Sequence, residues 1–406
     1  MRITTLYLKA CFNNIRCNKV YATFSIFSAM FTFLFTILIL QGVNELLGKR
    51  PPLTNADRII QISNFIDEDG HAIGGIREDG IKQISHAIKG YECYSVKNFQ
   101  SININLNNNQ TILCRVCFVN GDYFKIHGLK TLAGRIFTED DYRSTEPVAI
   151  IKESIAKKYF SKDNTLNNHI EFQGRTYKII GIIKDFTSLT GDQSSIWVPY
   201  IFNKFIPDPT PYYTMDFLFP FDMQEQEMKK HVYQGILQFW HQQNITVGIT
   251  LEQIQTLKTH LHKIWNSKLL IYGSLIAILL LMVVPSVNII VLNIGYVESR
   301  AKEIAIRRVL GATLIDSFIQ ILIETFILVL IGTILGLFLT TPTLNLIDAY
   351  YASSFEGLTI IGNISYHVII FYIIPLIFVF TLLSGGIPAY LIAHRNISTT
   401  LKGGTK

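Results

Sequence analysis

Four long apolar windows interrupt an otherwise mixed pattern, at residues 20–44, 269–297, 318–347 and 361–393. Each is long enough for a helix that crosses a hydrocarbon core about 30 Å thick, which takes about 20 residues. The third alone carries an acid within it, Glu324, with Asp348 just past its end. The first is no cleaved leader, because its apolar core is too long and no small-x-small site precedes LLGKRPP.

Between the first two windows the pattern shortens to alternating strand-like and helix-like runs. DRIIQISNF predicts a strand, and EDGIKQISHAIKG an amphipathic helix closed by Gly90. YSVKNFQSININL and QTILCRVCFV predict a hairpin around Asn107, Asn108 and Asn109. PVAIIKESIAKKYF reads as strand then helix, and HIEFQG and YKIIGIIKDF as two strands meeting at Gly174. After WVPYIF and the proline-rich IPDPTPYY come a strand, TMDFLF, a helix over 222–243 and another over 251–265. This predicts a mixed α/β domain with its own core, without internal repeats.

Composition agrees with a membrane protein: 49% of residues are hydrophobic and only 16% charged, against about 25% in soluble domains. The distribution of charge sets an expected orientation. Arg2, Lys9, Arg16 and Lys19 precede the first window, and Arg395, Lys402 and Lys406 follow the last, all without an acid. VESRAKEIAIRRVLGAT, residues 297–313, carries four more bases, whereas residues 344–367 have only Asp348 and Glu356. Both ends and the 297–313 turn are therefore expected in the cytoplasm and the α/β domain outside. Acidic and basic residues balance between Glu45 and Ser267, so the net charge of +6 comes from the cytoplasmic segments. Nucleic acid finds no support as a partner.

Five cysteines make no disulfide framework. Cys11 and Cys17 precede the first window, and the Cys114-x-x-Cys117 pair lies in a strand-like run, which favours buried thiols over a metal site. His260-x-His262 on a helix would point its rings about 200° apart, which favours a solvated face.

The segments VNGDYFKIHGLKTLAGRIFTEDDY, EPVAIIKESIAKKYF and YKIIGIIKDF resemble the periplasmic core domain of permeases of MacB/FtsX-type ABC transporters. SVNIIVLNIGYVESRAKEIAIRRVLGAT is similar to the family's second span and cytoplasmic loop. Ile387-Pro388-Ala389 with His394-Arg395-Asn396 resembles the end of its fourth span. The resemblance covers nearly the whole chain, with three motifs in the family's order. It implies a four-helix permease working as a homodimer or heterodimer with a separate cytoplasmic ABC ATPase. ATP and Mg²⁺ would then sit on that ATPase, with no cofactor, metal or catalytic residue on this chain. No G-x-x-x-x-G-K-[ST] loop is present, and GVNELLGKR fails its spacing.

The resulting expectation is an integral α-helical protein of the bacterial inner membrane. It has a cytoplasmic tail (1–19), spans at 20–44, 268–297, 314–341 and 368–393, and an extracytoplasmic α/β domain (45–267). A coupling helix (298–313), a short outer loop (342–367) and a C-terminal tail (394–406) complete it. The resemblance assigns ATPase coupling to Arg300, Glu303, Arg307, Arg308 and Gly311; read from charge alone, the turn could equally serve only to orient the chain. Glu303 precedes Arg307 by one helical turn, the favourable order for an ion pair. Gly311 suits a left-handed helix end, and Thr313-x-x-Asp316 a capping box. Glu324 lies ~16 Å along the third helix from Thr313. A charge at the bilayer centre costs about 2.5–3.5 kcal/mol, so Glu324 is either a buried polar lock between helices or reaches the headgroups. Gly332 and Gly336 form a GxxxG pair. Pro285 and Ser384-Gly385-Gly386 with Pro388 mark bends, with Asn288 and Asn293 bonding neighbouring helices. The expected function is efflux or extrusion, with regulation of a cell-wall hydrolase, as in FtsX-like relatives, as the alternative. A periplasmic adaptor or lipoprotein would accompany the first, a hydrolase the second.

Overall fold

The computed structural model describes residues 18–67, 69, 71–106, 110–144, 146–160, 165–205, 212–299, 306, 309–311, 313–351, 355–359 and 364–393. The chain divides into a membrane bundle and an α/β domain, the latter formed by Glu45–Ser267 together with Leu346–Gly362.

The bundle has four helices long and apolar enough to cross a membrane: Lys19–Leu47, Ser267–Gly295, Leu314–Tyr351 and Tyr366–Leu391. The third runs through Pro342 to Tyr351, about ten residues beyond the expected start of the outer loop. The fourth contains two π-helical turns, Ile369–Ile373 and Leu382–Gly386, and the second of these holds the Ser384-Gly385-Gly386 cluster. Ala29, Phe33 and Ile37 of the first helix, Val329 of the third and Phe380 of the fourth share one buried cluster. Phe33 meets Phe380 edge to face at 5.7 Å.

Among the described residues the α/β domain has eleven strands: β1 Ile59–Ile62, β2 Asn64–Ile66, β3 Ala72–Gly75, β4 Cys93–Leu106, β5 Thr111–Val119, β6 Thr131–Gly134, β7 Val148–Lys152, β8 His169–Phe172, β9 Arg175–Ile183, β10 Ile196–Pro199 and β11 Thr214–Leu218. Nine form one sheet in the order β1-β11-β4-β5-β10-β7-β9-β6, with β8 against β4 and β9; β2 and β3 form a separate ribbon. Along β4, Ile102, Ile104 and Leu106 point inward and alternate with less buried neighbours, the period of two that fixes register. β7 is buried at every position, as suits a strand covered on both faces. The helices Glu78–Ala87 and Glu225–Gln242 contribute to one apolar core with β1 and β11 (Ile84, Val232, Phe217). A second core gathers Ile102, Val116, Ile151 and Ile179.

Two expected elements break. DRIIQISNF splits at Ser63, because β1 pairs with β11 while β2 pairs with β3. The expected 251–265 helix begins only at Leu257, where Thr256 caps it by accepting the Thr259 N–H at 3.3 Å. The β4–β5 hairpin forms with Lys97 opposite Val119 through Asn105 opposite Thr111. The β8–β9 turn places Gln173 and Gly174 at positive φ.

In the GRIFTEDD segment two strands meet backbone to backbone. A Cβ on Gly134 would lie 2.1 Å from the Ile180 carbonyl oxygen, and one on Gly181 2.3 Å from that of Arg135. Only glycine lets β6 approach β9 this closely. Arg135 then grips both oxygens of Asp141, at 2.5 and 2.8 Å. Asp141 also receives the Thr138 N–H at 2.7 Å, starting the Glu139–Arg143 helix.

Candidate functional site in the membrane bundle

Of the residues assigned to coupling, Arg300, Glu303, Arg307 and Arg308 lie outside the described residues. Gly311 is described and has φ +105°, in the region that favours glycine, with open space where a Cβ would stand. Two residues on, the third span opens with reciprocal bonds. The Thr313 N–H donates to Asp316 Oδ2 at 2.8 Å, and the Asp316 N–H to Thr313 Oγ1 at 3.1 Å. A left-handed glycine followed directly by a capped helix start fixes where this turn ends.

Glu324 is buried within the bundle, 7% exposed, and its Oε1 accepts the Gln320 amide at 3.1 Å. One residue further, Thr325 ties three helices together. Asn293 of the second span donates to its hydroxyl at 3.2 Å, and that hydroxyl donates to the Ile321 carbonyl at 3.0 Å. From the fourth span Gly385 approaches so closely that a Cβ there would be 2.8 Å from Thr325 Oγ1. Asn288, by contrast, is exposed on its helix. Sequence reasoning singled out Asn293 and Gly385 but missed Thr325, since a threonine can satisfy its own helix and leaves no imprint on hydropathy. The Gln41 amide oxygen accepts the Ser365 N–H at 3.2 Å, joining the first span to the start of the fourth.

In the α/β domain, Asp216 is fully buried on β11. It receives Lys97 Nζ at 2.7 Å, Gln61 Nε2 at 2.8 Å and pairs with His127 Nε2 at 2.9 Å. Burial pushes its pKa up, but Lys97 and His127 outweigh this and hold the carboxyl well below the usual range. Lys152, at the end of β7, is equally buried, and its Nζ has no hydrogen-bond partner among the described residues; it sits 4.3 Å from the centre of the Phe186 ring. Burial lowers its pKa to about 8, against the opposing pull of Asp185, Asp192 and Asp348. Cys93, Cys114 and Cys117 are free and buried. Burial raises Cys114 to about 12 and Cys93 to about 11, so neither is a thiolate at neutral pH. His260 is exposed and His262 bonds Ser267 Oγ at 3.1 Å. A cavity of about 310 Å³ opens beside Gln61, Phe65, Ile236, Ile254 and His260.

Residues 22–236 match the family of MacB-like periplasmic core domains, and residues 275–397 that of the FtsX-like permease C-terminal region. The uncharacterized ABC transporter permease YknZ of Bacillus subtilis is 27% identical over 222 residues, covering 54% of this chain and 54% of YknZ. The macrolide export ATP-binding/permease protein MacB of Aggregatibacter actinomycetemcomitans is 25% identical over 226 residues, 55% of this chain and 34% of MacB. The chain thus spans about half, or less, of the length of these relatives. The crystal structure of the periplasmic region of MacB from Actinobacillus actinomycetemcomitans superposes with a TM-score of 0.42 at 18% identity, over 52% of this chain and 94% of that one. Four apolar helices and these matches identify an inner-membrane protein with a periplasmic-type α/β domain between its first and second spans. The chain therefore belongs to the MacB/FtsX-type family of ABC transporter permeases.

Proposed function

We propose that this chain is the membrane subunit of a complex that turns ATP hydrolysis on a separate cytoplasmic ATPase into motion of its outer domain, in the service of efflux. The observation that carries this reading is the presence in one chain, in order, of the core-domain match and the permease match. Within the permease match lies the charged turn, whose Arg300, Glu303, Arg307 and Arg308 would dock against the ATPase while Gly311 holds the turn's end. Both termini and this turn would face the cytoplasm, a reading that the lysine and arginine asymmetry supports.

A homodimer or a heterodimer with a second permease would complete the complex. The regulatory alternative keeps the same machinery but delivers the motion to a cell-wall hydrolase. The match of residues 22–236 to a MacB-like periplasmic core domain favours efflux with a periplasmic adaptor or lipoprotein.

The test is affinity purification of the tagged protein from its native membrane, followed by ATPase measurement in nanodiscs. Recovery of an ABC ATPase whose activity depends on this chain supports the coupling; its absence overturns it. An adaptor or lipoprotein bound to the outer domain supports efflux, and a hydrolase there supports the alternative.

A further inference from the structure

The segment between the third and fourth spans carries a feature that neither motif nor charge announced. Glu356 has its amide, its carbonyl and its carboxylate all engaged by the α/β domain. Its N–H donates to the Leu113 carbonyl on β5 at 2.9 Å. Ser195, just before β10, donates its hydroxyl to the Glu356 carbonyl. Lys158 reaches both carboxylate oxygens at 2.8 and 2.9 Å.

The first of these bonds continues a ladder. Ser195 donates its N–H to the Arg115 carbonyl, and β10 then runs parallel to β5. Glu356 takes the next place down β5, at a parallel bridge with the buried Cys114. Three residues on, the Ser188 N–H donates to the Thr359 carbonyl at 2.7 Å and the Thr359 N–H returns to Ser188 Oγ at 3.4 Å. Gly357, between them, has φ +79°, and a Cβ there would fall 2.8 Å from Ser195 Oγ and 3.0 Å from Ile155 Cδ1. A side chain would wedge the segment off the domain.

We propose that residues 355–359 are a permanent strap, which makes the α/β domain follow the outer ends of the third and fourth spans throughout the working cycle. The motion part of this rests on the permease reading above; the attachment itself does not. Backbone bonds that continue the place of β10 along β5 suit such a tie, because they hold the segment in one register whatever its side chains.

The test uses the full chain in nanodiscs with its ATPase, without nucleotide and trapped with ATP. Spin labels go on Phe221→Cys, in the α/β domain, and Tyr366→Cys, at the start of the fourth span; both native side chains are highly exposed. The wild-type distance should be the same in both states, and the Glu356 and Thr359 amides should stay protected from hydrogen exchange in both. Gly357→Val should speed exchange at these two amides by about tenfold or more, equivalent to about 1.4 kcal/mol of lost local stability. It should leave the Ile150 amide unchanged, and the label distance should then vary with nucleotide. The double variant Ser195→Ala with Lys158→Met should act in the same direction without backbone strain, should Gly357→Val fold poorly. A disulfide between Ser188→Cys and Thr359→Cys should leave ATP-dependent function intact. A wild-type label distance that shifts on ATP trapping, an unprotected Glu356 amide, or loss of function on cross-linking would overturn the strap. If no ATPase responds to the wild-type chain, the permease reading fails instead, and Glu356 exchange without nucleotide still decides the attachment.

Discussion

Gly332 of the third span lies against Ala29 of the first so closely that a Cβ on the glycine would stand 2.7 Å from the Ala29 Cβ and 2.6 Å from the Ile26 carbonyl oxygen. Gly336, one turn on, meets the Met30 carbonyl in the same way at 2.7 Å. The GxxxG pair is therefore a seam at which two helix backbones touch. Gly332→Val should destabilise the bundle by about 1–3 kcal/mol, the usual cost of overpacking. Gly42→Ala, where the added methyl meets nothing within 4 Å, should not. Unfolding of both variants in mixed detergent checks the contrast.

Lys152 gives the α/β domain an inverted pH response. Its folded pKa of about 8 lies below the ordinary 10.5. Below pH 8 both folded and unfolded chains hold the proton, and the folded state bears the whole penalty of burying it. Between about pH 8 and 10.5 the folded chain releases that proton while the unfolded chain keeps it, so stability rises with pH. Lys152→Met should raise stability at pH 7 by about 3 kcal/mol. That advantage should shrink as the pH climbs through this window. Denaturant titrations of both proteins at pH 7 and pH 10 measure it.

Asp216 behaves oppositely. Its folded pKa is depressed, so its contribution is complete above the unfolded value of about 4 and is lost only as the pH falls through the lower folded value. Asp216→Asn leaves Lys97 buried without its counter-charge and should cost about 3–5 kcal/mol at neutral pH. Denaturant titrations of both proteins at neutral pH measure it; a loss under about 1 kcal/mol would show that Asp216 does not hold the cluster.

Glu324 discriminates between a lock and a headgroup contact. Glu324→Gln retains an amide that can bond Gln320 and should keep complex stability and activity. Glu324→Leu removes the oxygen that accepts the Gln320 amide, for a loss of about 0.5–1.5 kcal/mol. Equal, wild-type behaviour of the two variants in a detergent-stability assay would remove the lock.

At the charged turn, Glu303→Lys should leave insertion intact, because an i,i+4 pair with Arg307, expected from the sequence, would be worth only about 0.5 kcal/mol. At a desolvated interface with the ATPase, loss of the same charge costs about 2–5 kcal/mol, so ATPase recovery in pull-downs should fall many-fold. Gly311→Val should bind the ATPase yet fail to pass motion on, because a β-branched residue resists the positive φ. Wild-type binding and stimulation by Glu303→Lys would reduce the turn to an orienting charge cluster.

Much of this architecture was legible in the pattern of side chains. The spans declare themselves by unbroken apolar runs, the β8–β9 turn by Gly174, and the third span's start by Thr313 and Asp316. The last turn of that span, past residue 347, was not, because a helix leaving the hydrocarbon no longer needs apolar residues. Neither was the docking of Glu356 on β5. That contact joins residues more than two hundred apart through backbone groups, which every sequence supplies alike. Nor was the burial of Lys152 at the end of β7, since only tertiary packing covers it.

The fourteen residues of β4 enter both apolar cores, with Val96 in one and Ile102, Ile104 and Leu106 in the other. Between them the strand stays continuously paired with β5 from Lys97 to Asn105. Flexing one half of the domain against the other would shear that ladder, so the compliance a hinge would provide is missing there. A displacement applied at either end should reach the far end undiminished, and heat should melt the two cores in a single transition.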